Sequence, residues 1–119
     1  MKYHFAASSA LLAIVLGVAG CSSTKPTAQG AAVEIVTEKP AGCRLLGEVV
    51  GSQGNAFSGD FTSDKALMIG ARNDLRNKTA AMGGNVVQVQ STLNGTHPYS
   101  AGAISSTVVG NAFACAARK

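Results

Sequence analysis

Residues 63–84, which read SDKALMIGARNDLRNKTAAMGG, decide the fold. Ser63 is a good N-cap residue, and Asp64 suits the positive end of a helix dipole. Gly83 and Gly84 end the pattern with the left-handed cap that is typical of helices. Between these ends, a narrow stripe at three- and four-residue steps is predicted to be buried: Met68, Ala71, Leu75, Thr79 and Met82. The stretch predicts an amphipathic helix from residue 63 to about residue 82.

The remaining side of this helix is polar. Arg72, Asn73, Arg76 and Asn77 fall largely on it, so we expect them to face water. Gly70 lies inside the helix, where it either weakens the helix by about 1 kcal/mol or allows close packing on a sheet.

Strand-like segments lie on both sides of the helix. Residues 33–37 form a short segment with strand character, which suits an edge strand, and residues 43–51 predict a largely buried strand. Residues 85–92 and 103–116 predict two further strands, the second with a candidate bulge at Gly110-Asn111. Residues 52–62 and 93–102, rich in Gly, Ser and Asn, are predicted loops.

This order of elements predicts a small two-layer α+β domain, β-β-α-β-β, with one helix packed on a mixed sheet. A strand–helix–strand unit makes a right-handed crossover, so the strands that begin at residues 43 and 85 run parallel. The last strand returns as a hairpin and is antiparallel to both. If it lies between them, its end places Cys115 beside Cys43.

Length and charge limit the class of protein. The chain of 119 residues has room for one small domain once a leader is removed. Its formal net charge of +4 is scattered without Lys or Arg runs, and Trp is absent. Nucleic-acid binding needs a clustered basic stripe with aromatic platforms, so we expect none. A weak attraction to anionic lipid headgroups stays open.

The start of the chain predicts export. Residues 1–20 combine Lys2 with a short apolar run, which is the anatomy of a signal peptide and too short for a membrane-spanning helix. Val18-Ala19-Gly20-Cys21 resembles the lipobox of bacterial lipoproteins. The resemblance implies that Cys21 becomes the first mature residue and anchors the chain to a membrane through its lipid. An uncleaved anchor and a signal cut elsewhere are the alternatives.

Ser22 is informative about which membrane holds the protein. In Gram-negative lipoproteins an Asp at this position commonly retains the protein in the inner membrane, so Ser22 resembles the outer-membrane class. The residues that follow are small and polar and cannot build a core. We therefore expect a lipidated flexible tether over residues 21–41 and the folded domain over residues 42–117, in the periplasm or at the cell surface.

Two cysteines remain besides Cys21. Cys43 and Cys115 form an even pair in an oxidising compartment, which favours one disulfide. Closing a loop of about 70 residues contributes roughly 4 kcal/mol. A metal site with His97 is the alternative, but it lacks a fourth ligand and the spacing of zinc sites. We expect no metal and no cofactor.

Three segments carry a family resemblance: residues 43–51 (CRLLGEVVG), residues 71–87 (ARNDLRNKTAAMGGNVV) and the late Cys115 after a Gly-rich strand. They are similar to small enterobacterial outer-membrane lipoproteins of unknown function. More distantly, they resemble the outer-membrane lipoprotein that senses envelope stress for the Rcs phosphorelay. That sensor has a second disulfide and a long proline-rich tether, which this chain lacks. The resemblance covers about residues 43–116 and implies an outer-membrane address.

The residues favour binding over catalysis. Glu48 and Asp60 are the carboxylates that could pair in an active site, but nothing in the sequence fixes the distance between them. We interpret His97 as a solvated loop residue. No nucleophile elbow is visible. We expect no catalytic residues and a non-enzymatic, lipid-anchored lipoprotein that displays its domain for protein binding or envelope maintenance. An envelope-stress sensor is the alternative hypothesis, and a periplasmic enzyme is the least favoured one.

The predicted topology also selects a contact surface. Loops 52–62 and 93–102 follow parallel strands, so they emerge at the same end of the sheet. Phe57, Phe61 and Tyr99 are the large side chains there, and they either contact an envelope protein partner or fold back over the core. A tether that begins near Cys43 would turn the disulfide end toward the membrane and the loops away from it.

Overall fold

The structure, a computed structural model, describes residues 23–54, 63–96 and 102–116. Its elements, in chain order, are α1 (Ala28–Ala31), β1 (Glu34–Val36), β2 (Arg44–Gly54), α2 (Asp64–Ala81), β3 (Val86–Thr96) and β4 (Ala103–Ala114). The sheet has the order β1-β3-β4-β2, with β1 parallel to β3 and β4 antiparallel to both of its neighbours. The predicted small α+β domain, with one long helix on a mixed sheet, is confirmed. No helix within the described ranges is long and apolar enough to span a membrane.

Helix α2 begins and ends where the sequence predicts. The Ser63 hydroxyl accepts from the Ala66 amide at 3.1 Å, and Gly83 takes a φ of +84° after the last turn. The buried side consists of Leu67, Ala71, Leu75 and Thr79, whereas Met68 and Met82 are 41% and 39% exposed. The stripe predicted through the two methionines is therefore wrong at both ends, because the sheet lies on the side of Leu67 rather than Met68.

The approach of α2 to the sheet depends on Gly51 in β2. A Cβ at this position would overlap the Ala71 carbonyl and the Leu75 backbone. Around this contact the core gathers residues from the helix, the sheet and the segment before β1: Val33, Val49, Ala71, Leu75, Val87, Val108 and Ala112. Gly70 of the helix is also buried, and a Cβ there would overlap the Gln53 side chain of β2. The close packing that Gly70 predicts is therefore present, with a second glycine on the strand.

Strands β2 and β3 are longer than predicted, whereas β1 and β4 are slightly shorter. Strands β2 and β3 continue to Gly54 and Thr96 because both keep pairing with β4. Strand β2 is buried on one side only, and Val50 is 40% exposed, so the prediction of a largely buried strand is wrong. The bulge expected at Gly110-Asn111 lies instead at Leu46 and Gln90 of the neighbouring strands. A Cβ at position 110 would press on the Gln88 carbonyl of β3, which explains the glycine.

A disulfide closes the end of the sheet where β2 begins. Cys43 and Cys115 are bonded, with their Cα atoms 4.5 Å apart, as the predicted strand order requires. The Asn85 side chain accepts from the Cys115 amide at 2.8 Å and donates to the Cys115 carbonyl at 2.9 Å. Strands β3, β4 and β2 are therefore held together at this end, called here the disulfide end.

Residues 37–43 connect β1 and β2, which lie at opposite edges of the sheet. The Gln88 amide donates to the Thr37 carbonyl at 3.4 Å, and by strand alternation Gln88 points away from α2. Pro40 in this segment is buried, as are Val86 and Phe113 on the same face of the sheet. The segment therefore crosses the face away from α2 near the disulfide end.

Candidate functional site

Most of the residues that the sequence singles out lie outside the described ranges. This holds for the lipidation site Cys21, for the candidate partner contacts Phe57, Phe61 and Tyr99, and for Asp60 and His97. Glu48 is exposed on β2. In the part of the chain that the structure describes, no group of three His, Cys, Asp or Glu side chains could hold a metal ion.

The segment predicted as a flexible tether lies on α2. Residues 23–33, called here the strap, run along the side of the helix that carries Asn73 and Asn77. The two asparagine amides donate to the Thr24 and Lys25 carbonyls, each at 3.0 Å. The Asn77 side-chain oxygen also accepts from the Thr27 amide at 2.8 Å. Both asparagines were expected to face water, and Asn73 is instead buried.

The second half of the strap joins the core. The Thr27 hydroxyl caps α1 by accepting from the Gly30 amide at 2.9 Å. Gly30 lies so close to Asn77 that a Cβ would overlap its side chain. Val33 is 4% exposed, and β1 follows it into the sheet. The domain therefore begins well before residue 42.

The strap also fixes where the chain reaches the domain. The Ser23 hydroxyl donates to the Ala66 carbonyl in the first turn of α2, at 2.9 Å. The Thr24 amide and hydroxyl both donate to the Gln53 side chain, at 2.8 and 2.6 Å. Gln53 and Ala66 lie at the end of the sheet opposite the disulfide. The expectation that the tether begins near Cys43 is therefore wrong, because Ser23 lies at the other end.

A broad part of the sheet is covered by no element within the described ranges. Val50 pairs with Val109, and Leu93 pairs with Thr107, on the side opposite the buried Val49 and Val108. Val50 and Leu93 are 40% and 64% exposed. We call this surface the uncovered face; its members on β2, β3 and β4 are Glu48, Val50, Ser52, Leu93, Thr107 and Val109.

Unlike the uncovered face, the outer edge of β2 is bonded to side chains of α2. Asp74 of α2 accepts from the Ser52 amide at 2.9 Å, and Lys78 donates to the Val50 carbonyl at 2.9 Å. The two side chains form a salt bridge of 3.0 Å with each other. Unpaired edge groups invite another strand, so this pair opposes strand addition along the middle of β2.

The remaining side of α2 is cationic. Burial lowers the pKa of Arg76 from its ordinary value, and the neighbouring Arg72 lowers it further. Arg76 stays charged near neutral pH and donates to the Asn73 side-chain oxygen at 3.0 Å. Arg76 therefore helps to position the Asn73 side chain, whose amide nitrogen binds the Thr24 carbonyl of the strap.

A groove of about 530 Å³ lies beside β1 and is lined by residues 35–41. Its charged residues, Glu38 and Lys39, are exposed. A group that must change its proton affinity for catalysis is usually desolvated or placed beside a fixed charge. The groove shows no such buried acid or base.

Comparison with known proteins places these features in a family. A family model described as a domain of unknown function (DUF4156) matches residues 24–115. The proteins described as uncharacterized protein YjeI from Escherichia coli (strain K12) and from Shigella flexneri are each 44% identical over 86 residues. The match covers 71% of this chain and 74% of each relative. The matched range begins inside the strap, in agreement with the strap being part of the domain.

Proposed function

The chain belongs to the DUF4156 family, and we propose that it is a non-enzymatic lipoprotein of the bacterial envelope that binds a protein partner. In this proposal Cys21 carries the lipid that holds the chain to the outer membrane. The disulfide-bonded domain presents the uncovered face to an envelope protein.

The uncovered face is the observation that carries the proposal. It exposes Val50 and Leu93, two large apolar side chains, among the polar residues Glu48, Ser52 and Thr107. An apolar centre with a polar rim is the usual composition of a protein interface. The face is also rigid, because β4 pairs with strands on both of its sides. The protected edge of β2 directs a partner to the face rather than to the backbone.

Several features support a binding role over catalysis. Glu48 and Asp60 are the two carboxylates that could pair in an active site. Of these, Glu48 lies within the described ranges, and it is exposed on the uncovered face. The groove beside β1 has no buried acid or base. The predicted loops 52–62 and 93–102 begin within β2 and β3. Gly54 at the end of β2 and Gly95, one residue before the end of β3, both pair with Ser105. Phe57, Phe61 and Tyr99 lie outside the described ranges and stay candidate contacts.

Site-specific crosslinking in intact cells tests the partner surface. Photoreactive residues are placed in the full-length chain at Val50 and Leu93, with Gln29 on the strap as an exposed control. We expect one envelope protein to be crosslinked from both sheet positions and not from Gln29. Leu93→Ser should abolish the crosslink from Val50 at an unchanged melting temperature. Equal crosslinking from all three positions would contradict the proposed surface, and a partner that changes under envelope stress would favour a sensor.

The anchor has its own test. Cys21→Ala should leave the protein unprocessed or mislocated and without incorporated fatty acid, because the lipobox cysteine would be missing. The measurement is metabolic labelling with fatty acid followed by membrane fractionation. A Cys21→Ala protein that is still processed and lipid-labelled would contradict the lipoprotein assignment.

A further inference from the structure

Helix α2 has a third side, which is mostly exposed and lies between its sheet side and its strap side. Its members recur at three- and four-residue steps and form what we call the basic stripe: Lys65, Met68, Ile69, Arg72 and Arg76. Met68 and Ile69 are 41% and 46% exposed, although they are large and apolar. The stripe thus combines exposed apolar side chains with three cations.

The acidic residues of α2 are held away from this stripe. Asp64 accepts from the Ala103 amide at 3.1 Å, and Asp74 accepts from the Ser52 amide and from Lys78. Both carboxylates are therefore engaged with the sheet side. Within the described ranges, no salt bridge reaches Lys65 or Arg72. Among the described residues, the charge of the stripe therefore has no salt-bridge partner.

The strap brings the anchor to the same end of the helix. Ser23 is bonded to Ala66, one residue from Lys65, and Cys21 precedes Ser23 by two residues. Two residues of extended chain span at most about 7 Å. A lipid on Cys21 is therefore attached within about that distance of Ser23, which is bonded to the first turn of α2.

We propose that the basic stripe of α2 lies on the anionic lipid surface of the membrane that holds the anchor. This inference rests on the proposed lipidation of Cys21. A helix with a basic side and exposed apolar residues is suited to the headgroup region, where cations meet phosphates and apolar groups leave water. The domain is then docked side-on at its anchored end, and the disulfide end points away.

Fluorescence quenching of the full-length lipidated protein in vesicles tests this orientation. An environment-sensitive dye is attached at Ile69→Cys or at Val50→Cys, which have similar exposure on different layers of the domain. The vesicles contain phosphatidylglycerol or only phosphatidylcholine, and the quencher is carried on the lipid headgroups. With phosphatidylglycerol, we expect quenching at position 69 to exceed that at position 50 on the order of threefold, since an interfacial helix face lies roughly 5–10 Å into the headgroup region.

A charge-matched pair of variants tests the cause. Lys65→Gln with Arg72→Gln removes two cations from the basic stripe, and Lys39→Gln with Arg44→Gln removes two exposed cations near the disulfide end. The ratio of docked to undocked molecules should fall about fivefold for each stripe charge removed. The control pair should leave that ratio nearly unchanged.

The outcomes separate the two proposals. Mass spectrometry that finds no lipid on Cys21 would overturn the lipoprotein assignment, and this inference with it. Lipid on Cys21 with equal quenching at both positions, or stronger quenching at position 50, would overturn the inference alone. Equal quenching at position 69 in phosphatidylcholine and phosphatidylglycerol vesicles would also overturn the inference, because anionic lipid would then play no part. The same holds if the variant that lacks Lys65 and Arg72 is quenched as strongly as the protein that has them.

Discussion

The two buried sides of α2 show two ways of holding a helix. The side toward the sheet uses Leu67, Ala71 and Leu75, which are at most 1% exposed. The side toward the strap uses Asn73 and Asn77, whose amides bond to backbone groups of residues 24–27. Both sides lie within three turns of the same helix. Burial in this domain therefore follows apolar character on one side of the helix and hydrogen-bond matching on the other.

The two sides should differ in stability. A fully buried leucine contributes about 1.5–3 kcal/mol relative to an exposed one, whereas a typical hydrogen bond contributes a net of about 1 kcal/mol. The sheet side should therefore open only when the domain unfolds. The strap should open locally at lower cost, as elements held by few apolar contacts do.

Loss of the disulfide should have the largest effect, and it acts through the sheet. Cys43→Ser with Cys115→Ser opens a crosslink between residues 72 apart in sequence. We expect the free energy of unfolding to fall by about 4 kcal/mol, because the unfolded chain gains the freedom of that loop. Urea denaturation of the wild-type protein with and without reductant is the matched measurement. Equal midpoints for oxidised and reduced protein would contradict a structural disulfide.

Leu75→Ala should have the next largest effect. The side chain is fully buried between α2 and β2, so its removal leaves a cavity and should cost about 3 kcal/mol. Leu93→Ala, on the uncovered face, is the control and should change stability by less than about 0.5 kcal/mol. Denaturation midpoints of the two variants provide the comparison. Similar losses for both would mean that the uncovered face is part of the core.

The same contrast explains what the sequence could predict. Helix α2 and the mixed sheet follow from periodicity, capping residues and crossover handedness. The Cys43–Cys115 bond follows from an even cysteine pair in an oxidising compartment, and it agrees with a last strand that lies between its two neighbours. The register of the helix stripe was missed because Leu67 and Met68 are both apolar, and only the position of the sheet decides which is buried. The open face of β2 was missed because an apolar run looks alike on a covered and an uncovered sheet.

The strap was missed for a different reason. Its residues are small and polar, as in a flexible linker, and its binding residues on α2 are asparagines that a helix normally turns to water. Their role depends on backbone groups that are distant in sequence, such as Thr24 for Asn73. The signal that could have found it is the polar side of α2 itself, which has two asparagines four residues apart. Such a pair places two amides in one row along the helix.

Asn73→Ala should have a smaller and more local effect. It removes the bond to the Thr24 carbonyl and leaves that carbonyl and Arg76 without this partner. We expect a loss of about 1–2 kcal/mol, seen chiefly as faster proteolysis of the strap. Asn94→Ala, at an exposed strand position, is the control. If the strap is cleaved no faster in Asn73→Ala than in the control, Asn73 does not hold the strap on the helix.

The protected edge of β2 should give the smallest change in stability. Asp74→Ala with Lys78→Ala removes a partly exposed ion pair on the surface, which contributes no more than about 1 kcal/mol. It also uncovers the Ser52 amide and the Val50 carbonyl, so we expect concentration-dependent self-association in sedimentation experiments. Lys65→Ala should not self-associate. A double variant that stays monomeric at high concentration would mean that the edge needs no such protection.

Amide hydrogen exchange of the strap most directly tests the claim that residues 23–33 belong to the domain. The amides of Thr24, Thr27, Gly30 and Ala31 all donate hydrogen bonds in the structure. The account predicts exchange well below the rate of an unstructured peptide at all four positions. It also predicts that Asn73→Ala with Asn77→Ala accelerates exchange there while the protection of β3 and β4 is kept. Exchange at the free-peptide rate in the wild-type protein would contradict the account.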